Sequence, residues 1–238
     1  MISISRASRY TSVPVKPLPF DVVAAFLRLG LKYNIESLKD EAAARLTHDL
    51  PLSLTAFTLR TFMIMPNGHM VESCNSSLYS TINLVRECQC LTHILPVAFY
   101  LQACKDLHSF HKPAISNDGR EVQLSHEDTC VLSVGWLKLI EAQHQYTYKW
   151  LYQTAPISAF CSSKGACFSA RANCVLELFT PIPTVSGLDT WGQWATDLTL
   201  CAACKVAAKA CHDEGRQKIW QMLPSFFGLP EWTELLKE

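Results

Sequence analysis

From about residue 20 onward, apolar residues recur along this chain at helical intervals. Val22, Phe26, Leu29 and Tyr33 fall at steps of four, three and four. The spacing predicts a helix capped by Asp21 and ending near Tyr33, with those four residues on its core face. Asn34 suits the left-handed conformation that closes a helix, and Glu36 puts an acid at the positive end of the next one. Leu38, Ala42 and Leu46 then continue a core face, with Lys39, Glu41 and Arg45 turned outward, until Asp49-Leu50-Pro51 stops the helix. Together these make an αα-hairpin. Residues 52–76 are less regular: Leu54, Phe57, Phe62 and Met65 read as a short helix before a turn at Pro66-Asn67-Gly68. A second hairpin-like pair follows, with Leu78, Ile82 and Val85 on one face, a Cys90-Leu91-Thr92 connection, and Pro96 in the first turn of its second helix. The two pairs share a layout about 55 residues apart but few identities, so they are similar architecture rather than a proven repeat.

Lys112 to Leu124 reads as a polar surface loop. Ser125, with Asp128 three residues on, resembles a capping box opening the longest helix of the chain, which reaches about Trp150. Leu132, Trp136, Leu139, Tyr146 and Trp150 form its core stripe, with Gln143 filling the gap. A helix bearing Arg171, Val175 and Leu178 follows a Ser/Gly/Lys turn, and Pro181, Pro183 and Gly187 mark a loop. Trp191, Trp194 and Leu198 sit at helical spacing, and Cys201-Ala202-Ala203-Cys204 opens a last long helix through Ile219 and Met222. The predicted fold is all-α: helical hairpins and longer helices packed in one array, with a small zinc-stapled C-terminal segment.

Composition narrows the classes. With 238 residues the chain can bury a real core. Twenty-one basic residues balance 21 acidic ones, so nothing draws the chain generally to nucleic acid or anionic lipid. No window approaches the ~20 apolar residues of a membrane span. The nearest, Leu91 to Cys104, is broken by Thr92, His93, Pro96 and Gln102 and reads as a buried helix. Arg6, Arg9 and Lys16 with no acid give the first twenty residues a transit-peptide tint, yet Pro14, Pro17 and Pro19 forbid an amphipathic helix there. Residues 1–18 therefore read as a disordered or extended lead-in. Eleven cysteines without a secretory signal place the chain in a reducing compartment, cytoplasmic or nuclear.

The chemistry concentrates in the cysteines after Phe160. A two-residue gap between Cys201 and Cys204 brings two sulfurs to one side of a small ion, and Cys161 and Cys167, five residues apart, complete a set of four. Cys161, Cys167, Cys201 and Cys204 could supply the thiolates of one structural zinc, with Lys164, Arg171, Lys205 and Lys209 near in sequence to offset charge. Cys204 and Cys211 are seven apart, roughly 10 Å along a helix, too far to share one ion. The same logic demotes Cys174, and His212 could substitute only if the helix began late. The alternatives for the four are free packing thiols, a redox pair or a disulfide clip. Cys74, Cys88, Cys90, Cys104, Cys130 and Cys174 read as buried packing residues. His108 and His111 read as surface histidines. No phosphate-binding loop, nucleophile elbow, zincin or dinucleotide motif is present.

Residues 20–39, a helix ending in Lys32-Tyr33 and a short turn into Leu38-Lys39, look like the closing helical pair of a BTB/POZ domain. From about residue 18 on, the chain resembles the BTB-domain proteins of mushroom-forming fungi. The likeness continues through Leu95-Pro96-Val97-Ala98-Phe99-Tyr100, the Cys-bearing segment, and a tail with Trp220, Leu223-Pro224, Phe227-Gly228-Leu229-Pro230 and Trp232. It implies that 19–60 is the remnant of a BTB domain, 61–155 the helical region after it, and 156–238 a Cys-bearing helical segment. The strand-rich part that builds the BTB dimer is missing here, so the resemblance implies a truncated member or an incomplete gene model. Self-association and cullin-type ligase binding are therefore not carried over. What it implies is a non-enzymatic protein–protein interaction module with protein partners, no nucleic acid and no membrane. Two other readings stand beside it: a zinc-dependent regulatory or nucleic-acid-associated protein, which lacks a basic stripe, and a thiol enzyme.

Overall fold

Small residues decide how the first two helices meet. In the computed structural model, which describes residues 16–62, 70–71, 77–105, 107–116, 118–194 and 198–237, α1 (Phe20–Tyr33) and α2 (Glu36–Asp49) form the expected hairpin. Asn34 takes the left-handed turn at φ 54°. The core face of α1 differs from the sequence reading. Val23, Ala24, Leu27 and Gly30 are buried, while Val22, Leu29 and Tyr33 are 36%, 44% and 61% exposed. Close approach is the reason: a Cβ at Gly30 would lie 2.7 Å from Lys39 Cγ and 2.9 Å from its backbone nitrogen. A face carrying Phe26 and Tyr33 is too bulky for that crossing. Nor does Asp21 cap the helix; it sits in the first turn, and the N-cap is Pro19, whose carbonyl accepts the Val22 and Val23 N–H groups.

Arg45 also departs from the reading, because it is buried rather than turned outward. Its Nη1 donates to the carbonyls of Lys16 and Met70, and its Nε to Glu41 at 2.7 Å. Asp49 accepts the Met70 and Val71 N–H groups at 3.0 Å each. These two charged side chains satisfy backbone groups of segments that have no helix of their own there.

α3 (Leu54–Phe62) is the short helix expected, and the turn at Pro66-Asn67-Gly68 lies outside the described residues, as does most of the lead-in. α4 (Ser77–Cys88) and α5 (Leu95–Ala103) pair across a tight connection with Leu91 left-handed, a 3₁₀ turn at Thr92–Ile94, and Pro96 in the first turn of α5. α5 is buried on every side. Among the described residues no helix is long and apolar enough to cross a membrane. The 112–124 loop holds a two-stranded antiparallel ribbon of β1 (Ala114–Ile115) and β2 (Glu121–Val122), with Ala114 opposite Val122.

Ser125 caps α6 (His126–Gln145), its Oγ accepting the Asp128 N–H at 3.0 Å. The helix stops at Gln145, five residues short of Trp150. An aromatic and β-branched run, Tyr146-Thr147-Tyr148, favours helix poorly. Thr147 is also pressed by the C-terminal helix, where a Cβ on Gly215 would come within 2.4 Å of Thr147 Cα. Trp150 is still buried, from a 3₁₀ turn at Lys149–Leu151. α7 (Lys164–Phe179) and α8 (Trp191–Trp194) follow, and Leu198 lies past α8 in non-helical chain, so Trp191, Trp194 and Leu198 do not share one helix. α9 (Ala202–Phe226), not α6, is the longest, and α10 (Trp232–Leu235) ends the fold.

Two cores result. The larger centres on α5 and gathers α1 to α4, α6, the C-terminal half of α9 and the Trp232 tail. The smaller holds Tyr148, Trp150, Leu151, Cys167, Ala170, Cys174, Leu198, Leu200, Cys204 and Ala208. α9 runs through both. The Trp-bearing tail belongs to the larger core, with Trp232 stacked on Trp220 at 5.4 Å.

Candidate metal centre

The sulfurs of Cys161, Cys167, Cys201 and Cys204 all lie within 4.8 Å of one another. Cys161 and Cys201 stand 3.9 Å apart. Four thiolates at ~2.3 Å around one zinc sit about 3.8 Å from each other, so little motion separates this set from a tetrahedron. Local structure places each one. Cys161 closes a turn, its N–H donating to Ser158 O. Cys167 lies in the first turns of α7, its N–H bonded to Ser163 O. Cys201 is the N-cap of α9 and Cys204 is one turn inside it, where two-residue spacing keeps both sulfurs on the same side.

Backbone N–H groups point at the sulfurs. That of Cys201 donates to Cys167 Sγ at 3.3 Å. The N–H groups of Cys204 and Ser162 pull the Cys201 thiol down to about 6, helped by its place at a helix N-terminus. Burial pushes Cys204 up to about 12. At Cys167 the Cys201 N–H favours the thiolate, but burial and the thiols of Cys201 and Cys161 leave it above its ordinary value. So the Cys201 sulfur ionises readily, while Cys167 and Cys204 resist a second negative charge. A divalent cation held by these four residues would remove that resistance by supplying the missing positive charge. The donor set, its N–H support and its spacing fit zinc.

The remaining candidates fall elsewhere. Cys174, pushed up to about 11 by burial, and Cys211 stay outside the cluster. α9 begins early, so His212 is deep in the helix, with Nε2 2.9 Å from Asp189 O rather than near an ion. Arg171 directs its guanidinium at the carbonyls of Gln153, Ala155 and Trp150, and Lys209 pairs with Asp213 at 2.5 Å. Cys104 and Cys130 are exposed instead of buried, Cys88 and Cys90 half-buried, and Cys74 lies outside the described residues. His108 and His111 are exposed, as read.

Sequence reasoning missed a second polar assembly. The backbone of 184–189 is held by side chains from four directions. Gln143 bonds Thr184 O and the Ser186 N–H, and Thr147 bonds Gly187 O. Tyr148 meets Ser186, Tyr100 accepts the Leu188 N–H, and Arg216 donates to Leu188 O. Gln143 in an apolar stripe was its only trace in the sequence. No family model matches the chain, and no curated protein or solved structure shows significant similarity to it.

Proposed function

We propose that one zinc ion binds Cys161, Cys167, Cys201 and Cys204 as a closed structural centre in a non-enzymatic protein-interaction module. The convergence of the four sulfurs within 4.8 Å carries this reading. Four protein ligands fill a tetrahedral shell and leave no position for water or substrate, which is the arrangement of structural rather than catalytic zinc. The ion would tie the turn before α7, the start of α7 and the start of α9 to one point. The interaction role draws support from apolar side chains left in solvent. Val22, Leu29 and Tyr33 lie along the outer face of α1, and Phe160, Phe168 and Val206, close in sequence to the ligands, are 86%, 59% and 72% exposed.

Metal analysis of chain purified under reducing conditions tests the centre. The expected content is about one zinc per chain, lost in the Cys201→Ser, Cys204→Ser variant. A metal-free chain with the same melting curve removes the centre, and stoichiometric iron identifies a different one. For the interaction role, Leu29→Glu with Tyr33→Glu is expected to abolish specific co-precipitation while leaving melting unchanged; full retention of partners would remove the α1 face. A reactive-thiol reading has one observation behind it, the depressed Cys201 thiol. Uniformly slow alkylation of the zinc-loaded protein eliminates that reading.

A further inference from the structure

We propose that the cleft between α3, α8 and α9 is a binding site for a small organic carboxylate with an apolar body. It encloses about 480 Å³, within the range of small-molecule sites. Leu54 and Leu59 of α3 and Trp191 of α8 give it an apolar wall, and Lys209 and Arg216 of α9 give it charge.

Arg216 carries the argument. It is only 8% exposed. Its Nε donates to Leu188 O at 2.9 Å and its Nη2 to Thr58 Oγ1 at 2.8 Å. The Thr58 hydroxyl is itself oriented, donating to Leu54 O at 2.8 Å. The guanidinium plane is therefore fixed before any ligand arrives, while Nη1 donates to no group among the described residues. Among the described residues no carboxylate stands within ion-pair distance of it. Asp213 holds Lys209 at 2.5 Å, and Asp213 and Asp189 act on Arg216 only at longer range. A cation nine-tenths buried without a contacting anion is costly, and pairing with a carboxylate relieves that cost. Guanidinium recognises carboxylate through directed hydrogen bonds, and a fixed one loses less entropy in doing so.

The class of anion follows from the lining. Lys209, Arg216 and Asp213 amount to two cations and one anion, which a monoanion neutralises and a phosphate dianion overshoots. The indole of Trp191 and the two leucines suit an aromatic or aliphatic body. The inference is independent of the metal centre, because none of the four cysteines lines this cleft.

Titration of the zinc-loaded full chain, followed by NMR, tests it with phenylacetate, neutral phenylacetamide and inorganic phosphate as probes. Phenylacetate is expected to shift the Trp191 indole and the α3 amides saturably, with phenylacetamide and phosphate each weaker by about tenfold or more. Arg216 is kept, since it also supports Leu188 and Thr58. Gly192→Trp places a ring in the cleft from a position where a Cβ meets nothing within 4 Å, and it is expected to abolish binding. Lys209→Glu reverses the rim charge and is expected to weaken it by about tenfold. Equal binding of phenylacetamide, equal shifts with phosphate, no response to phenylacetate, or undiminished binding in Gly192→Trp would each overturn the proposal.

Discussion

The two cores are built by different means. Around α5 the larger one packs big side chains on each other: Phe99 stacks on Phe227 at 5.1 Å, Phe57 meets Tyr100 edge-on at 5.7 Å, and Trp220 stacks on Trp232. Such residues bury large areas, and burial alone can hold them together. The smaller core has three cysteines and two alanines among its ten buried members, with Tyr148, Trp150, Leu151, Leu198 and Leu200. Its cysteines and alanines remove little apolar surface from water, so its burial rests on Trp150 and Tyr148, packed on Trp191 at 5.6 Å and on Phe179 at 6.2 Å. The difference teaches that burial alone can sustain the first region, whereas the second joins burial to a four-thiol cluster able to hold a metal ion.

Removing the proposed metal is the largest test of that difference. With a strong chelator, or in Cys201→Ser with Cys204→Ser, hydrogen-exchange protection is expected to fall in α7 and in α9 as far as about Ala208. Protection in α5 and α6 is expected to hold. Structural zinc binds with on the order of 10 kcal/mol, several times what burial of one large side chain supplies. The converse change is Phe99→Ala, which is expected to cost about 3–5 kcal/mol of stability in the larger core and leave zinc content unchanged. Uniform loss of protection across the chain on chelation would erase the distinction between the regions.

How far the sequence revealed this depended on the kind of signal. Local signals were legible, the Asp21 cap excepted. Asn34, Ser125 and Pro96 act through their own backbone or the next few residues, and each sits where its chemistry predicts. The cysteine set was legible too, because two-residue spacing at a helix start leaves few geometries, and helix rise alone separated Cys211 from Cys204. Choices set by a distant partner were not. The face of α1 depends on how closely α2 approaches at Gly30, and the bulkier apolar stripe loses. Arg45 read as a surface charge because the carbonyls that bury it belong to chain 25 or more residues away. The end of α6 is fixed by Gly215, about seventy residues later, and no period in the sequence encodes that contact.

Gly215 gives a smaller and more local test of the boundary between the cores. Gly215→Ala would push a methyl into the backbone of Tyr146 and Thr147, where contacts of 2.4 Å leave no room. Overpacking of this kind costs about 1–3 kcal/mol, and more where only backbone can yield. The expected result is a lowered melting temperature with loosened amides at 146–151 and zinc retained. Unchanged melting would mean that α9 does not press on the end of α6.

The smallest effect tests the clamped 184–189 segment that joins the regions. Burial raises the Asp189 carboxyl from 3.8 to about 6 and lowers the His212 imidazole from 6.5 to about 4. For Asp189 the fold favours the protonated form. Its contribution is complete below the ordinary carboxyl value and is lost as pH rises through about 6. For His212 the fold favours the neutral form, so its contribution is complete above 6.5 and lost as pH falls through about 4. Between these limits the two slopes oppose each other. Asp189→Asn removes the one that falls with rising pH. Urea midpoints of the zinc-loaded variant should therefore climb more steeply from pH 4 to 6 than those of the parent, and the two curves should run parallel above pH 7. Parallel curves throughout would mean that the carboxyl of Asp189 reaches water and that the segment between the cores is not closed.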